Sequence, residues 1–251
     1  MDSLRLADIA MSFGGLAAVR QITLEIPRGR ITGLIGPNGA GKTTVVNMIS
    51  GINRPSAGTI TVGDNLLSKM RAEQIATLGV ARTFQNIRLL NKASVRDNIV
   101  IGFHKHQRTN WVENLLGFPS VWRERRDFIE RTGALLDQFE MRPLAGAMAG
   151  ALSYGHQRRV EIMRALATAP DFLMLDEPVA GMNAVEAADL GRIFRHLASQ
   201  GIGILLIEHN VAFVKKVCDY VHVMDAGVLI AAGPAEQVCQ DPAVITAYLG
   251  A

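Results

Sequence analysis

Apolar residues are arranged in two different ways along this chain. In "RITGLIG" (30–36), "FLMLD" (172–176), "GILLIE" (203–208) and "VHVMD" (221–225) they form short continuous runs between helical stretches. That is the pattern of parallel strands buried on both faces. Residues 3–9, 21–26 and 58–63 are strand-like too, but Gly and Pro turns separate them, which predicts antiparallel sheet. From about 86 to 154 no strand is predicted. There "VWRERRDFIERTGALLDQF" (121–139) puts Trp122, Phe128, Ile129, Leu135, Leu136 and Phe139 on one helical face, with Arg and Glu opposite. A further helix is predicted within "ALSYGHQRRVEIMRALATAP" (151–170). Leu152 precedes Ser153, a good N-cap, and Gly155 lets another group approach the backbone closely. Val160, Ile162, Met163, Leu166 and Ala167 recur at helical spacing, and Pro170 closes the run. The pattern predicts an α/β core over 1–85 and 155–251, with an antiparallel β part and an α-helical insertion over 86–154.

Composition narrows the class. The 251 residues are 49% hydrophobic and 20% charged, enough for one domain with a subdomain. A formal net charge of +3, with Arg and Lys spread along the chain, argues against a dedicated nucleic-acid binder. Cys218 and Cys239 have neither metal-ligand spacing nor the density of a disulfide scaffold, so reduced core thiols are expected. The start "MDSLRLADIAMSF" lacks a basic stretch followed by an apolar one, and no apolar run approaches the roughly 20 residues that cross a bilayer. A soluble, cytoplasmic protein is expected.

The chemistry is concentrated in a few stretches. "GPNGAGKT" (36–43) follows an apolar strand and opens the helix "TTVVNMIS", the strand–loop–helix setting of a phosphate-binding loop. Gly36, Pro37, Asn38, Gly39, Ala40 and Gly41 form the loop, and its glycines let backbone N–H groups curl round phosphate oxygens. Lys42 adds a charge for the β/γ-phosphates, and Thr43, followed by Thr44, offers a hydroxyl to Mg²⁺. "FLMLDEP" (172–178) ends a strand in two acids, where open α/β sheets bind ligands. Asp176 would hold Mg²⁺ and Glu177 would orient or deprotonate an attacking water. "LLIEHN" (205–210) ends another strand at His209, a candidate γ-phosphate contact, and "ARTFQN" (81–86) puts Gln85 at the start of the insertion. The helix beginning at Ser153 presents bare N–H groups and a positive dipole end, a second anion site.

Together these stretches resemble the ATP-binding cassette (ABC) ATPases, a P-loop NTPase family, over essentially the whole chain. "GPNGAGKTT" is similar to the Walker A loop, "FLMLDEP" to the Walker B strand with its glutamate, and "LSYGH" (Leu152, Ser153, Tyr154, Gly155, His156) to the signature motif. Gln85 matches the Q-loop, which also reaches the Mg²⁺, "AGMN" (180–183) the D-loop and His209 the switch histidine. Phe13 stands where the family stacks an aromatic on adenine, with Val19 beside the same ring. The resemblance implies ATP and Mg²⁺ as ligands. It also implies a dimer of two cassettes packed head to tail, in which Ser153 and Gly155 of one complete the ATP site of the other. Two departures stand out: Tyr154 and His156 alter the usual L-S-G-G-Q, and Asn183 replaces the usual D-loop aspartate.

A free-standing cassette with a helical insertion resembles importer ATPases that dock on separate membrane subunits. "ARTFQNIRLL", "LSYGHQRRVEIMRA", "LDEPVAGMN", "LLIEHNVAFV", the stretch "NWVENLLGFPSVWRERR" and the terminal "DPAVITAYLG" are similar to the ATPases of hydrophobic (branched-chain) amino-acid importers. That implies permease subunits as partners, a periplasmic or extracellular substrate-binding protein indirectly, and a peripheral place on the inner face of the membrane. The ATPases of lipopolysaccharide export and urea import, and the soluble ABC scaffold of iron–sulfur cluster assembly, remain alternatives. A small-molecule P-loop kinase would leave the signature helix and His209 unexplained.

Overall fold

The computed structural model describes residues 3–83, 85, 87–107, 113, 118–242, 244 and 246. By its internal contacts the chain forms two compact units, Met1–Gln85 with Asp171–Ala251, and Asn86–Pro170. Residues 155–170, expected in the α/β core, lie in the helical unit, where the helix Tyr154–Leu166 packs on Val95–Val100 and on the 3-10 turn Ile101–His106.

The first unit holds two sheets. One is antiparallel, in the order β2-β1-β4-β5, from β1 (Ser3–Phe13), β2 (Leu16–Pro27), β4 (Ala57–Val62) and β5 (Asn65–Leu66). β1 and β2 run longer than the predicted segments 3–9 and 21–26, and β4 is displaced by one residue from 58–63. β1 and β2 alternate buried and exposed positions along much of their length, as a sheet with one wet face requires. They meet in a tight turn at Gly14 and Gly15, both at positive φ, the conformation a two-residue hairpin loop needs.

The other sheet has the order β10-β9-β3-β8-β7-β6. β3 (Ile31–Ile35), β7 (Phe172–Asp176) and β8 (Gly203–Ile207) are buried at every position, which is why they read as unbroken apolar runs. β9 (Tyr220–Asp225) is parallel to β3, and β10 (Val228–Pro234) is antiparallel to β9. β6 (Val80–Arg82) adds a parallel edge beside β7. The sequence pattern predicts neither β5, β6 nor β10. Helix α1 (Lys42–Ile49) follows β3, and its buried Val45, Val46, Met48 and Ile49 join Leu34, Met174, Leu205 and Met224 in the core. Full burial of side chains of this size contributes about 1.5–3 kcal/mol each.

In the helical unit the main helices are Val95–Val100, Pro119–Gln138 and Tyr154–Leu166, with no named strand among its described residues. Ser94 caps the first by accepting from the Asp97 N–H at 3.0 Å. A Cβ at Gly102 would lie 2.3 Å from the Arg164 carbonyl oxygen, so glycine is what allows this close approach. Leu136, Phe139, Val160, Ile162 and Met163 are buried, and Phe103 stacks on Phe128 with centroids 5.3 Å apart. The predicted apolar face of Pro119–Gln138 is therefore buried at its C-terminal end. Trp122 and Ile129 depart from the expectation, being 61% and 48% exposed. Most of the 110–117 part of the insertion lies outside the described residues.

Candidate functional site

Four neighbouring strands of the parallel sheet release their chains at the same edge. β3 ends at Ile35 and enters the loop 36–41; β8, beside it, ends at Ile207 ahead of His209. β7 ends at Asp176 ahead of Glu177, and β6 ends at Arg82 ahead of Gln85. Register makes the ends level, since Leu34 pairs with Ile207 and Ile207 with Asp176. C-terminal strand edges of this kind are where α/β sheets bind ligands. A cleft of about 230 Å³ opens there, lined by the 38–44 loop with Gln85, Glu177 and Ile207.

The glycines of the loop are required by geometry. Gly36 has φ 149°, and a Cβ there would lie 2.0 Å from the Met224 carbonyl oxygen. Gly41 has φ 101°, and its Cβ would lie 2.5 Å from that of Ala18. Gly39 is also left-handed, but its Cβ would meet nothing, so there only conformation demands glycine. Asn38 and Gly39 are exposed, Pro37 is half-buried, and Ala40 is buried. Lys42 is 7% exposed, and its Nζ donates to the Gly36 and Pro37 carbonyls at 2.7 and 2.9 Å. Burial lowers its pKa, against the attraction of Glu177 and Asp176. Thr43 is exposed at the helix start and Thr44 half-buried.

Asp176 is 2% exposed and pairs with Arg82, whose Nη2 lies 3.1 Å from Oδ2. Nη1 of Arg82 donates to Asn47 Oδ1 at 2.6 Å, which links the Asp176 strand to the helix behind the loop. Glu177 leaves the sheet in a left-handed conformation, φ 47°, with its N–H donating to the Ile207 carbonyl at 2.9 Å. A non-glycine residue held there stores strain, a recurrent mark of functional sites. Its Oε1 lies 3.8 Å from His209 Nδ1. Glu208, beneath, is 1% exposed and hydrogen-bonds the backbone of Val179 and of His209.

Sequence reasoning missed Arg82 and Glu208. For Glu208 a signal was present, a charged residue closing an apolar strand next to His209; Arg82 ends an edge strand of three residues that shows no period.

The remaining predicted residues divide. Gln85 lines the cleft and is exposed. Phe13 stands at the tip of the β1–β2 hairpin and is 48% exposed, free to stack as the resemblance implies. Val19 is a correction: at 1% exposure it belongs to the core under the loop, with Cγ2 3.4 Å from where a Gly41 Cβ would be, and offers no surface to a ring.

In the helical unit, Ser153 caps its helix by accepting from the His156 N–H at 3.4 Å. Its Oγ is 3.0 Å from His156 Nδ1, and the Tyr154 hydroxyl accepts from Arg158 at 3.2 Å. Both unusual signature residues are thus tied to this helix start. Leu152 accepts from the Gln157 side chain through its carbonyl at 3.1 Å, and Gly155 is half-buried in the first turn. Asn183 caps the helix Ala184–Ser199, accepting from the N–H groups of Val185 and Glu186 at 2.9 and 3.0 Å, while the Glu186 carboxylate accepts from the Asn183 N–H at 3.1 Å. Asparagine caps as well as aspartate does, so this departure leaves the local fold intact.

Cys218 is a buried free thiol, as expected, and Cys239 a half-buried one. No helix among the described residues is long and apolar enough to cross a membrane.

Comparison with known proteins gives the same picture. The family description "ABC transporter" matches residues 19–180, and "Branched-chain amino acid ATP-binding cassette transporter" matches residues 228–251. The chain is 38% identical to the high-affinity branched-chain amino acid transport ATP-binding protein BraF of Pseudomonas aeruginosa, over 98% of this chain and 97% of that protein. It is 40% identical to the corresponding protein LivG of Escherichia coli, over 96% and 95%. A solved structure of a nucleotide-free ATP-binding cassette from an ABC transporter superposes over 100% of both chains, with a TM-score of 0.86 and 30% identity. A phosphate loop, a strand-end acid pair and a histidine on one sheet edge, in a chain matched end to end by such cassettes, make this protein a member of the ABC transporter family, as one of its ATP-hydrolysing cassettes.

Proposed function

We propose that this chain powers an importer of branched-chain or other hydrophobic amino acids, as one half of a head-to-tail pair of cassettes seated on permease subunits at the inner face of the membrane. The substrate class is carried by the match of residues 228–251 to the branched-chain cassette family, a stretch outside the shared ATPase motifs. A substrate-binding protein on the other face would deliver the amino acid.

The chemistry follows from the sheet edge. Backbone N–H groups of 38–41 and the Lys42 ammonium hold the β- and γ-phosphates, and Phe13 stacks on the adenine. A threonine hydroxyl (Thr43), a carboxylate (Asp176) and the Gln85 amide form a hard oxygen set that suits Mg²⁺ shared with phosphate. That ion would neutralise charge on the phosphates. Glu177 orients the attacking water and accepts its proton, and His209 donates to the γ-phosphate. With the His156 proton on Nδ1, Ser153 Oγ accepts from it and from the His156 N–H and keeps its own hydroxyl proton to donate to the γ-phosphate held by the partner cassette, together with the Gly155 N–H.

The test is a mixing experiment. Ser153→Arg blocks the trans contact and Lys42→Ala removes nucleotide affinity, so each variant alone should be inactive. In a heterodimer of the two, one composite site carries both defects and the other neither, so hydrolysis should partly return. Heterodimers that demonstrably form, counted as ATP-held dimers in a Glu177→Gln background, yet recover no hydrolysis when Glu177 is intact would sink the head-to-tail reading. For the substrate class, ATP-driven uptake of leucine by the reconstituted transporter is the measurement. Lack of stimulation by any branched-chain amino acid would refute it.

A further inference from the structure

One buried acid at the sheet edge has no part in the chemistry above. Glu208 is 1% exposed and stands between the last residue of β8 and His209. Its Oε1 accepts from the Val179 N–H at 3.2 Å, and its Oε2 from the His209 N–H at 3.2 Å. Val179 is two residues beyond Glu177 and opens the stretch that runs into 180–183. Each carboxylate oxygen therefore holds the backbone of a different segment, one leaving β7 and one leaving β8.

These segments have little else to hold them in step. Parallel pairing of β7 with β8 reaches Asp176 and Ile207, and the Glu177 N–H bond to the Ile207 carbonyl is the next contact beyond it. From there the chain turns left-handed at Glu177. The His209 side chain is 58% exposed, so packing does little to fix it. Yet a hydrolytic site needs its base and its γ-phosphate donor held to well under 1 Å.

We propose that Glu208 is a positioning residue for ATP hydrolysis, its carboxylate tying the segment after Glu177 to the segment that begins at His209 and so setting the spacing of those two side chains. Both oxygens face N–H donors, an arrangement that suits the ionised acid and makes both bonds charge-assisted. Burial holds the Glu208 carboxyl above the usual carboxylate range, although the N–H groups of Val179, Asn210 and His209, with the His209 charge, pull against it. The proposal rests on the roles given above to Glu177 and His209.

Glu208→Gln tests it at constant volume. An amide has one accepting oxygen, so its NH2 group must face one of the two backbone N–H groups and that tie is lost. The expected result is a folded protein with KM for ATP within about threefold of wild type and kcat lowered about tenfold or more. In a His209→Ala background the same substitution should cost little further, because the group being positioned is gone. A wild-type kcat in folded Glu208→Gln overturns the proposal, as does a full, additive loss in the His209→Ala background. Should Glu208→Gln fail to fold, Glu208→Asp keeps the charge but cannot span both donors. It should show the same selective fall in kcat, and an unchanged kcat there overturns the proposal as well. The two readings separate cleanly. A wild-type chain without ATPase activity refutes the proposed function, whereas an active wild type with an equally active Glu208→Gln refutes only the tie.

Discussion

Arg158 is a demanding residue to remove. It lies one turn into the signature helix, fully buried, with Nη1 2.6 Å from an equally buried Glu161 and Nη2 donating to the Tyr154 hydroxyl at 3.2 Å. Arg158→Met keeps much of the volume but leaves the Glu161 carboxylate in the interior without that partner. Breaking a buried pair from one side costs about 3–5 kcal/mol. Arg164 is close enough for Glu161 to raise its pKa against the lowering effect of burial. It can take over part of the compensation, which puts the expected loss near 3 kcal/mol at the low end of that range. At about 1.4 kcal/mol per tenfold, amide protection across Tyr154–Leu166 should fall about a hundredfold in hydrogen exchange. Adding Glu161→Leu removes the orphaned charge, and the double variant should regain most of the loss. A single variant within about 1 kcal/mol of wild type, or a double variant as unstable as the single, would refute the argument.

Three further outcomes are expected. Glu177→Gln should keep ATP binding, since Lys42, Thr43 and Asp176 are untouched, while hydrolysis falls by about 10² or more; near-normal turnover in a phosphate-release assay would contradict the role of this residue. Leu90 is 54% exposed on a loop that the buried Asn98 side chain pins, accepting from the Leu90 N–H at 2.8 Å and donating to its carbonyl at 3.1 Å. Leu90→Asp, or Leu89→Asp beside it, should weaken co-purification with permease subunits and spare basal ATPase, whereas joint loss of fold and ATPase would make these leucines core. Burial lowers the His222 pKa from 6.5 to about 4, so between those values the unfolded chain takes up a proton that the native one refuses. Stability should therefore fall by about 3 kcal/mol as pH drops from 6.5 to 4, and His222→Phe should flatten that part of the urea-midpoint profile; an unchanged slope refutes it.

The parts of the molecule that the chain announces are those governed by local backbone demands. Gly36 and Gly41 are legible because no other residue fits their conformation and clearance, and β3, β7 and β8 because burial on both faces leaves only apolar residues. β6 was invisible because three residues, Val80–Arg82, carry no period. β10 was hidden because "VLIAAGP" has the glycine and proline of a loop and half-exposed positions. Arg82 and Glu208 draw their importance from partners on other strands, and no spacing rule encodes that. The stripe containing Trp122 and Ile129 marks a helix correctly, but an amphipathic period says only which residues share a face and not whether the face is covered. Ser153 is the reverse case: a capping residue is local grammar, so both the start of the helix and its hydroxyl acceptor could be read directly.

The order of the parallel sheet also bears on how the protein is made. β3, which carries the phosphate loop, lies between β8 and β9, and the ribosome delivers β8 only after the whole helical unit has been built. At synthesis rates of about 5–20 residues per second, β3 waits roughly ten to thirty seconds for its first lateral neighbour. All five of its residues are destined for the interior, so the nascent chain exposes an unpaired, largely apolar strand for that interval. The helical unit, contiguous in sequence, can fold meanwhile. The nucleotide loop at the end of β3 is thus among the first motifs synthesised and among the last to acquire its setting.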